Sequence, residues 1–222
     1  MSFLKKYFSY LNVIPVRTYE SVHSGRLEIN WLNGKKILDT KNTNYSYGNL
    51  GKVLKKALKH TETDFISKDQ SVLILGLGGG DVIKQLRNNF KSQAHITAIE
   101  IDPVIIEIAF NEFDIIPNSQ LEIINNDAYL FLKYTQEKYD IIIVDLFNDT
   151  QIPEFVFQNE FIKRIHQTLN LNGTAIFNTF ILNDTDEIKN QKFLNRLQNS
   201  FLVQSFKKVY SHNHLIITQK TR

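Results

Sequence analysis

Apolar and polar residues alternate in short stretches over the first forty positions, and then the period of the pattern changes. Tyr19-Glu20-Ser21-Val22, Arg26-Leu27-Glu28-Ile29-Asn30-Trp31 and Lys36-Ile37-Leu38 read as half-buried strands. Gly25 opens the second stretch, and Asn33-Gly34, a dipeptide that favours tight hairpin turns, separates it from the third. A small antiparallel β lobe over residues 1–47 is the expectation. Leu50, Val53, Leu54, Ala57 and Leu58 then recur at helical spacing, which predicts a helix from Gly48 to His60. The polar stretch Thr61 to Gln70 links that helix to the main domain.

From Ser71 onward, continuous apolar runs alternate with helical patterns. Strands are predicted at Val72 to Leu75, Ile96 to Glu100, Leu121 to Ile124, Tyr139 to Asp145 and Thr174 to Asn178. Helices are predicted after Gly80, from Pro103, over Ala128 to Tyr134, and over Glu160 to Leu169, with a turn at Asn170 to Gly173. Apolar strands between helices imply a parallel sheet covered on both faces. Toward the end, a helix over Glu187 to Gln198 precedes strands at Phe201 to Val203 and Leu215 to Thr218. These two strands are joined by the polar turn Ser211-His212-Asn213-His214. That connection is too short for a crossover helix, so the last strand is expected to run antiparallel. The predicted fold is α/β: a doubly wound, Rossmann-like sheet over residues 48–222 with an antiparallel last strand, plus the N-terminal β lobe.

Composition narrows the function classes. At 222 residues and 42% apolar content the chain can bury a full core. The absence of cysteine excludes a disulfide framework, a thiolate zinc site and a cysteine nucleophile. With no long apolar run and no signal-peptide pattern, a cytoplasmic protein without a membrane partner is expected. The net charge of +3 comes from cations that stand singly or in pairs, such as Lys35-Lys36, Lys55-Lys56 and Lys207-Lys208, among scattered acids. That is ordinary solvated surface, and no nucleic-acid partner is expected. His166 reads as a partly buried helix residue and His212 with His214 as an incidental pair in a turn. No three-ligand constellation is visible, so no metal is expected.

The chemistry concentrates at strand ends. Gly76-Leu77-Gly78-Gly79-Gly80 follows one strand and Glu100 ends the next, the arrangement of a nucleotide-cofactor site. Gly76, Gly78 and Gly80 let the backbone approach a ligand, and Glu100 can accept ribose hydroxyls. A dinucleotide fingerprint needs Gly or Ala where Asp81 stands. Asn126-Asp127-Ala128 puts a second acid at the third strand end, where Asp127 can accept from an adenine amino group or cap the following helix. With the antiparallel last strand, these features point to S-adenosylmethionine or a close relative. Asp145 ends the most apolar strand, at the edge where open sheets bind ligands, and is a candidate for catalysis or substrate binding. Asp102-Pro103 reads as a helix cap and first turn.

Together, Gly76 to Gly80, Ile99-Glu100-Ile101-Asp102-Pro103, Asn126-Asp127-Ala128 and Asp140 to Asp145 resemble the spermidine synthase family, a branch of the class I adenosylmethionine-binding transferases. The strand lobe and Asn44-Tyr45-Ser46-Tyr47-Gly48 extend the resemblance over nearly the whole chain. It implies a class I methyltransferase sheet and aminopropyl transfer from decarboxylated S-adenosylmethionine to a small-molecule amine, as in polyamine biosynthesis. It further implies ribose binding by Glu100, adenine binding by Asp127 and the Ala128 backbone, and proton acceptance by Asp145 helped by Tyr47. Tyr45, Asp149 and Gln151 are then acceptor-side residues, and a homodimer pairs through the N-terminal lobes. Two positions depart from the family pattern. Gly79 stands where the family carries aspartate, and Asp145-Leu146-Phe147-Asn148-Asp149 replaces Asp-Ser-Ser-Asp-Pro. This form is similar to a spermidine synthase-like branch. Methyl transfer from S-adenosylmethionine itself and a non-catalytic cofactor-binding or interaction module remain open at this point.

Overall fold

The computed structural model describes residues 2–40, 70–147, 151–209 and 212–221. Helix α1 (Ser2–Phe8) leads into an antiparallel sheet of β1 (Ile14–Ser21), β2 (Gly25–Leu32) and β3 (Lys35–Thr40), in that spatial order. Asn33 and Gly34 both adopt positive φ, 49° and 75°, as a two-residue hairpin turn demands. The larger sheet holds β4 (Ser71–Leu75), β5 (His95–Glu100), β6 (Leu121–Asn125), β7 (Tyr139–Val144), β8 (Leu169–Phe180), β9 (Leu202–Val209) and β10 (Asn213–Gln219). Their order is β6-β5-β4-β7-β8-β10-β9. The pairs from β6 through β8 are parallel, and β10 runs antiparallel to both β8 and β9. The antiparallel last strand is therefore present as expected.

Five α-helices accompany this sheet among the described residues: α2 (Asp81–Lys84), α3 (Pro103–Phe113), α4 (Ala128–Tyr134), α5 (Asn159–Thr168) and α6 (Asp184–Leu197). Successive residues of β4 serve opposite faces. Val72 and Ile74 pack with Ile105, Ile108 and Ala109 of α3, while Leu73 and Leu75 pack with Phe161, Ile165 and Phe193 of α5 and α6. The side chains of Val72 to Leu75 are all fully buried, which is why the strand reads as a continuous apolar run. No described helix is long and apolar enough to cross a membrane.

The small sheet is seated on α3 through that helix's two ends. Near its last turn, the buried Glu112 carboxylate accepts from the Tyr19 hydroxyl at 3.1 Å and pairs with Lys36 at 2.8 Å and Arg17 at 3.5 Å. At its start, Asp102 accepts from the Val104 N–H at 2.9 Å and from the Ser21 and Ser24 hydroxyls at 2.6 and 2.5 Å. Leu27, Ile29 and Leu38 complete the attachment by joining the core on that face of the large sheet.

The structure departs from the sequence reading in several places. Helix α1 was not expected, and β1 starts at Ile14, ahead of Tyr19. The turn expected at residues 170–173 lies inside β8, because the pairing with β7 jumps from Tyr139↔Leu169 to Ile141↔Thr174 and absorbs the extra residues as an irregularity. Helix α2 passes into a π-helical turn, Gln85–Asn89. Helix α6 begins at Asp184, capped by the Asn183 side chain, which accepts from the Asp186 N–H. The predicted helix from Gly48 to His60 and the 47/48 lobe boundary lie outside the described residues.

His214 is a further correction: it sits in β10 with no exposure to solvent, not in a turn. Its Nδ1 lies 3.1 Å from Asn190 Oδ1, the Thr179 hydroxyl lies 2.6 Å from the same oxygen, and Nε2 has no partner among the described residues. Burial pushes the imidazole down to about 4, with Lys207 acting in the same direction and Glu187 against it. A histidine held neutral in the fold gives stability that is complete above its ordinary value of 6.5 and is lost as pH falls toward 4. We predict that His214→Leu flattens the decline of the unfolding midpoint across that window, as followed by thermal melts at half-unit pH steps. An unchanged slope would remove His214 as the cause.

Candidate active site

The carboxyl ends of the central strands are tied together by backbone hydrogen bonds that run one residue past the strands. Gly76 N–H donates to Ile99 O, Asp145 N–H to Leu75 O, and Asn126 N–H to Glu100 O, at 2.9 to 3.0 Å. Gly76, Gly78 and Gly80 all take positive φ (96°, 50° and 75°), so the turn after β4 folds back before α2 begins. A Cβ on Gly76 would lie 2.3 Å from the Asp145 carbonyl oxygen, and one on Gly80 2.3 Å from Ile115 Cγ1. Gly80 thus packs beneath Ile115, whereas Gly76 and Gly78 border an open cavity.

That cavity, of about 230 Å³, brings together Gly76, Gly78, Glu100, Asp127, Ala128 and Asp145. Its apolar walls are Ile99, Ile101, Ile105, Leu146, Phe147, Pro153 and Phe155, and Phe147 stacks on Phe180 with ring centroids 4.6 Å apart. Glu100 is nearly buried. One of its oxygens accepts from the Leu77 N–H at 2.9 Å and the other from the Asp102 N–H at 3.0 Å. Burial pushes its carboxyl up from the ordinary range, opposed by these bonds and one from Gly78. Asp127 caps α4 by accepting from the Leu130 N–H at 2.8 Å, so the capping geometry and a place at the cavity coexist.

Asp145 differs in its support. Its side chain accepts from the Asn178 amide at 2.9 Å, and Asn178 in turn accepts from the Asn213 amide at 2.9 Å. Burial raises its carboxyl to about 7; Asn178 opposes the rise and Asp81 adds to it. Asp81 is itself raised by burial, with Lys84 and Lys35 opposing. A carboxyl poised near neutrality at a cavity surface can exchange protons at physiological pH.

Other residues named from the sequence fall elsewhere. Gln151 is exposed and does not border the cavity, and Glu154 pairs with Lys189 at 2.6 Å. Tyr45, Tyr47 and Asp149 lie outside the described residues. Sequence reasoning missed Asn178, although its place at the end of the strand beside Asp145 was a usable signal. It also missed His23 and Ser24, which border the cavity from the β1–β2 turn.

The chain is similar to a polyamine aminopropyltransferase of Vibrio vulnificus, with 35% identity over 119 residues, which covers 52% of this chain and 40% of that protein. The chain spans less than half the length of each of the curated relatives compared, including a probable polyamine aminopropyl transferase of Bifidobacterium longum that is 32% identical over 114 residues (51% of this chain, 25% of that protein). Among solved structures, a probable spermidine synthase from Corynebacterium glutamicum superposes with a TM-score of 0.71 at 17% identity, covering 92% of this chain and 80% of the other. That likeness shows a shared fold. Residues 51–217 match the spermine/spermidine synthase domain, and the chain belongs to that family.

Proposed function

We propose that this protein is a transferase that moves an aminopropyl group from decarboxylated S-adenosylmethionine to a small amine. The observation that carries the reading is the meeting, in one cavity, of a glycine turn, two strand-end acids at Glu100 and Asp127, and a third acid, Asp145, raised to about 7. The naming of the curated relatives as polyamine aminopropyltransferases supports it. The cavity suits an adenosine-bearing donor: acidic acceptors for ribose and adenine stand beside apolar walls that can cover a base.

In this reading Glu100 orients the ribose, Asp127 with Ala128 receives the adenine, and the glycine turn admits the backbone to the donor's sulfur side. When bound, the donor supplies a carbon activated by a sulfonium leaving group. The protein's task is then mainly positioning. A protonated amine has no lone pair to attack with, so Asp145 binds it as an ammonium and takes its proton. The C–N bond forms as the C–S bond breaks, and sulfur keeps the bonding electrons. Asn178 holds the carboxylate in place and favours its charged form.

Three outcomes are expected. In calorimetric titrations with S-adenosylmethionine, its decarboxylated form and methylthioadenosine, the decarboxylated donor binds more tightly than S-adenosylmethionine, and Glu100→Gln weakens it by about 10- to 100-fold through loss of a charged acceptor. Preference for S-adenosylmethionine would favour methyl transfer, and no binding of any of the three would overturn the donor assignment. Asp145→Asn lowers turnover with a diamine by about 10²- to 10⁴-fold while leaving donor affinity near wild type; undiminished turnover would exclude Asp145 as the base. Because the base must be ionised, kcat/KM falls below about pH 7 in the wild type. Asn178→Leu moves that limb to higher pH, and a limb that stays in place would sever Asn178 from the titration.

A further inference from the structure

The order of the strands also orders the cavity. Along the carboxyl edge of the sheet the strands run β6, β5, β4, β7, β8, and the residues at or just past their ends follow as Asp127, Glu100, Gly76, Asp145 and Asn178. The acids that suit a nucleoside, Asp127 and Glu100, stand on the β6–β5 side, and the glycine turn after β4 separates them from Asp145. A donor laid over β6, β5 and β4 leaves the β7–β8 side for its acceptor. Displacement makes the same demand, because the attacking nitrogen must approach the carbon from the face opposite the sulfur.

Apolar groups make up that side. Leu146 reaches the glycine turn: its Cδ2 lies 3.6 Å from where a Cβ on Gly76 would stand. Phe147 borders the cavity next, and its ring is fixed by stacking on Phe180, the last residue of β8, with 4.6 Å between centroids and 28° between planes. Asn178 already uses its amide nitrogen on Asp145 and its amide oxygen on Asn213. Phe155, by contrast, has its ring 5.6 Å from that of Tyr129 in α4, so it belongs to the Asp127 side.

Among the described residues, Asp145 is the one acid that borders the cavity on the β7–β8 side. Acids of the segments that follow β7 and β8 are engaged elsewhere: Glu154 pairs with Lys189, Asp186 accepts from the Leu182 N–H at 3.0 Å, and Glu187 pairs with Lys207. Asp145 can hold one ammonium. A second ammonium at the far end of the same acceptor would face the Phe147 ring and no carboxylate. The attraction of a phenylalanine face for a cation is smaller than the cost of stripping water from a primary ammonium. An alkyl or aryl tail avoids that cost and gains contact with the ring.

We propose that the acceptor is a monoamine with an apolar tail, its nitrogen at Asp145 and its alkyl or aryl end against Phe147, which sets the acceptor class. This rests on the aminopropyl-transfer reading of the cavity. The ammonium gives a proton to Asp145, the freed lone pair forms the C–N bond, and the C–S bonding pair leaves on sulfur as methylthioadenosine. The product is a secondary amine with an apolar group on one side and an aminopropyl group on the other.

The test compares two acceptors of equal length, pentylamine and 1,4-diaminobutane, which differ at the far end by a methyl against an ammonium. With the full chain and decarboxylated S-adenosylmethionine, and products followed by mass spectrometry, pentylamine should show a kcat/KM about 10- to 100-fold above that of the diamine. Phe147→Asp should reverse the order by supplying a second carboxylate, whereas Phe147→Leu, which stays apolar, should keep it. Equal or better use of 1,4-diaminobutane by the wild type would overturn the proposal while leaving aminopropyl transfer in place, and this ratio decides even if Phe147→Asp fails to fold. A wild type that binds the donor but aminopropylates neither amine would overturn the transfer reading and this inference with it.

Discussion

A carboxylate sealed from solvent must have its oxygens met by donors, or its burial costs several kcal/mol. Asp102 meets that demand with donors from two separate parts of the chain: the Val104 N–H of α3 and the serine hydroxyls of the first hairpin. Neither set suffices alone. The helix leaves Oδ2 unmet, and the serines leave Oδ1 unmet. The N-terminal sheet, the start of α3 and the Glu100 corner therefore become mutually dependent. Glu112 repeats the device near the other end of the same helix, so the small sheet is fixed against rotation as well as displacement.

Buried Glu100 and half-buried Asp145 are supported differently, and the difference divides their proposed labour. Glu100 is met by backbone N–H groups that cannot be withdrawn without unfolding the turn, which suits an acid that stays an acceptor. Asp145 leans on a single side-chain amide that is itself held by Asn213, while Asp81 opposes its ionisation. Its balance is closer, and a balance near neutrality is what proton exchange requires.

Much of this was legible in the sequence, and the rest was hidden for physical reasons. The central strands announced themselves because burial on both faces leaves no polar position to interrupt Val72 to Leu75 or Ile141 to Val144. Glu100, Asp127 and Asp145 were visible because a parallel sheet collects its strand ends at one edge, so chain position implies spatial position. Asn170-Leu171-Asn172-Gly173 misled because turn-forming residues also serve an irregular strand. His214 misled because its polar neighbours suggest solvent, while the partner that accommodates it, Asn190, lies 24 residues away on a helix. The Ser21 and Ser24 contacts with Asp102 span 81 and 78 positions, and no local pattern encodes such a distance.

The close approach of Gly76 to the Asp145 carbonyl has a wider consequence. The glycine turn and the strand end bearing Asp145 share a surface with no room for one methyl group, and the Asp145 N–H is bonded to the residue before the glycine. In the proposed reaction the two halves of the chemistry are thus machined as a single part. Evolution can change what the cavity accepts by altering its rim, at the hairpin and the segment after Asp145. It cannot slide the glycine turn relative to Asp145 without rebuilding the middle of the sheet.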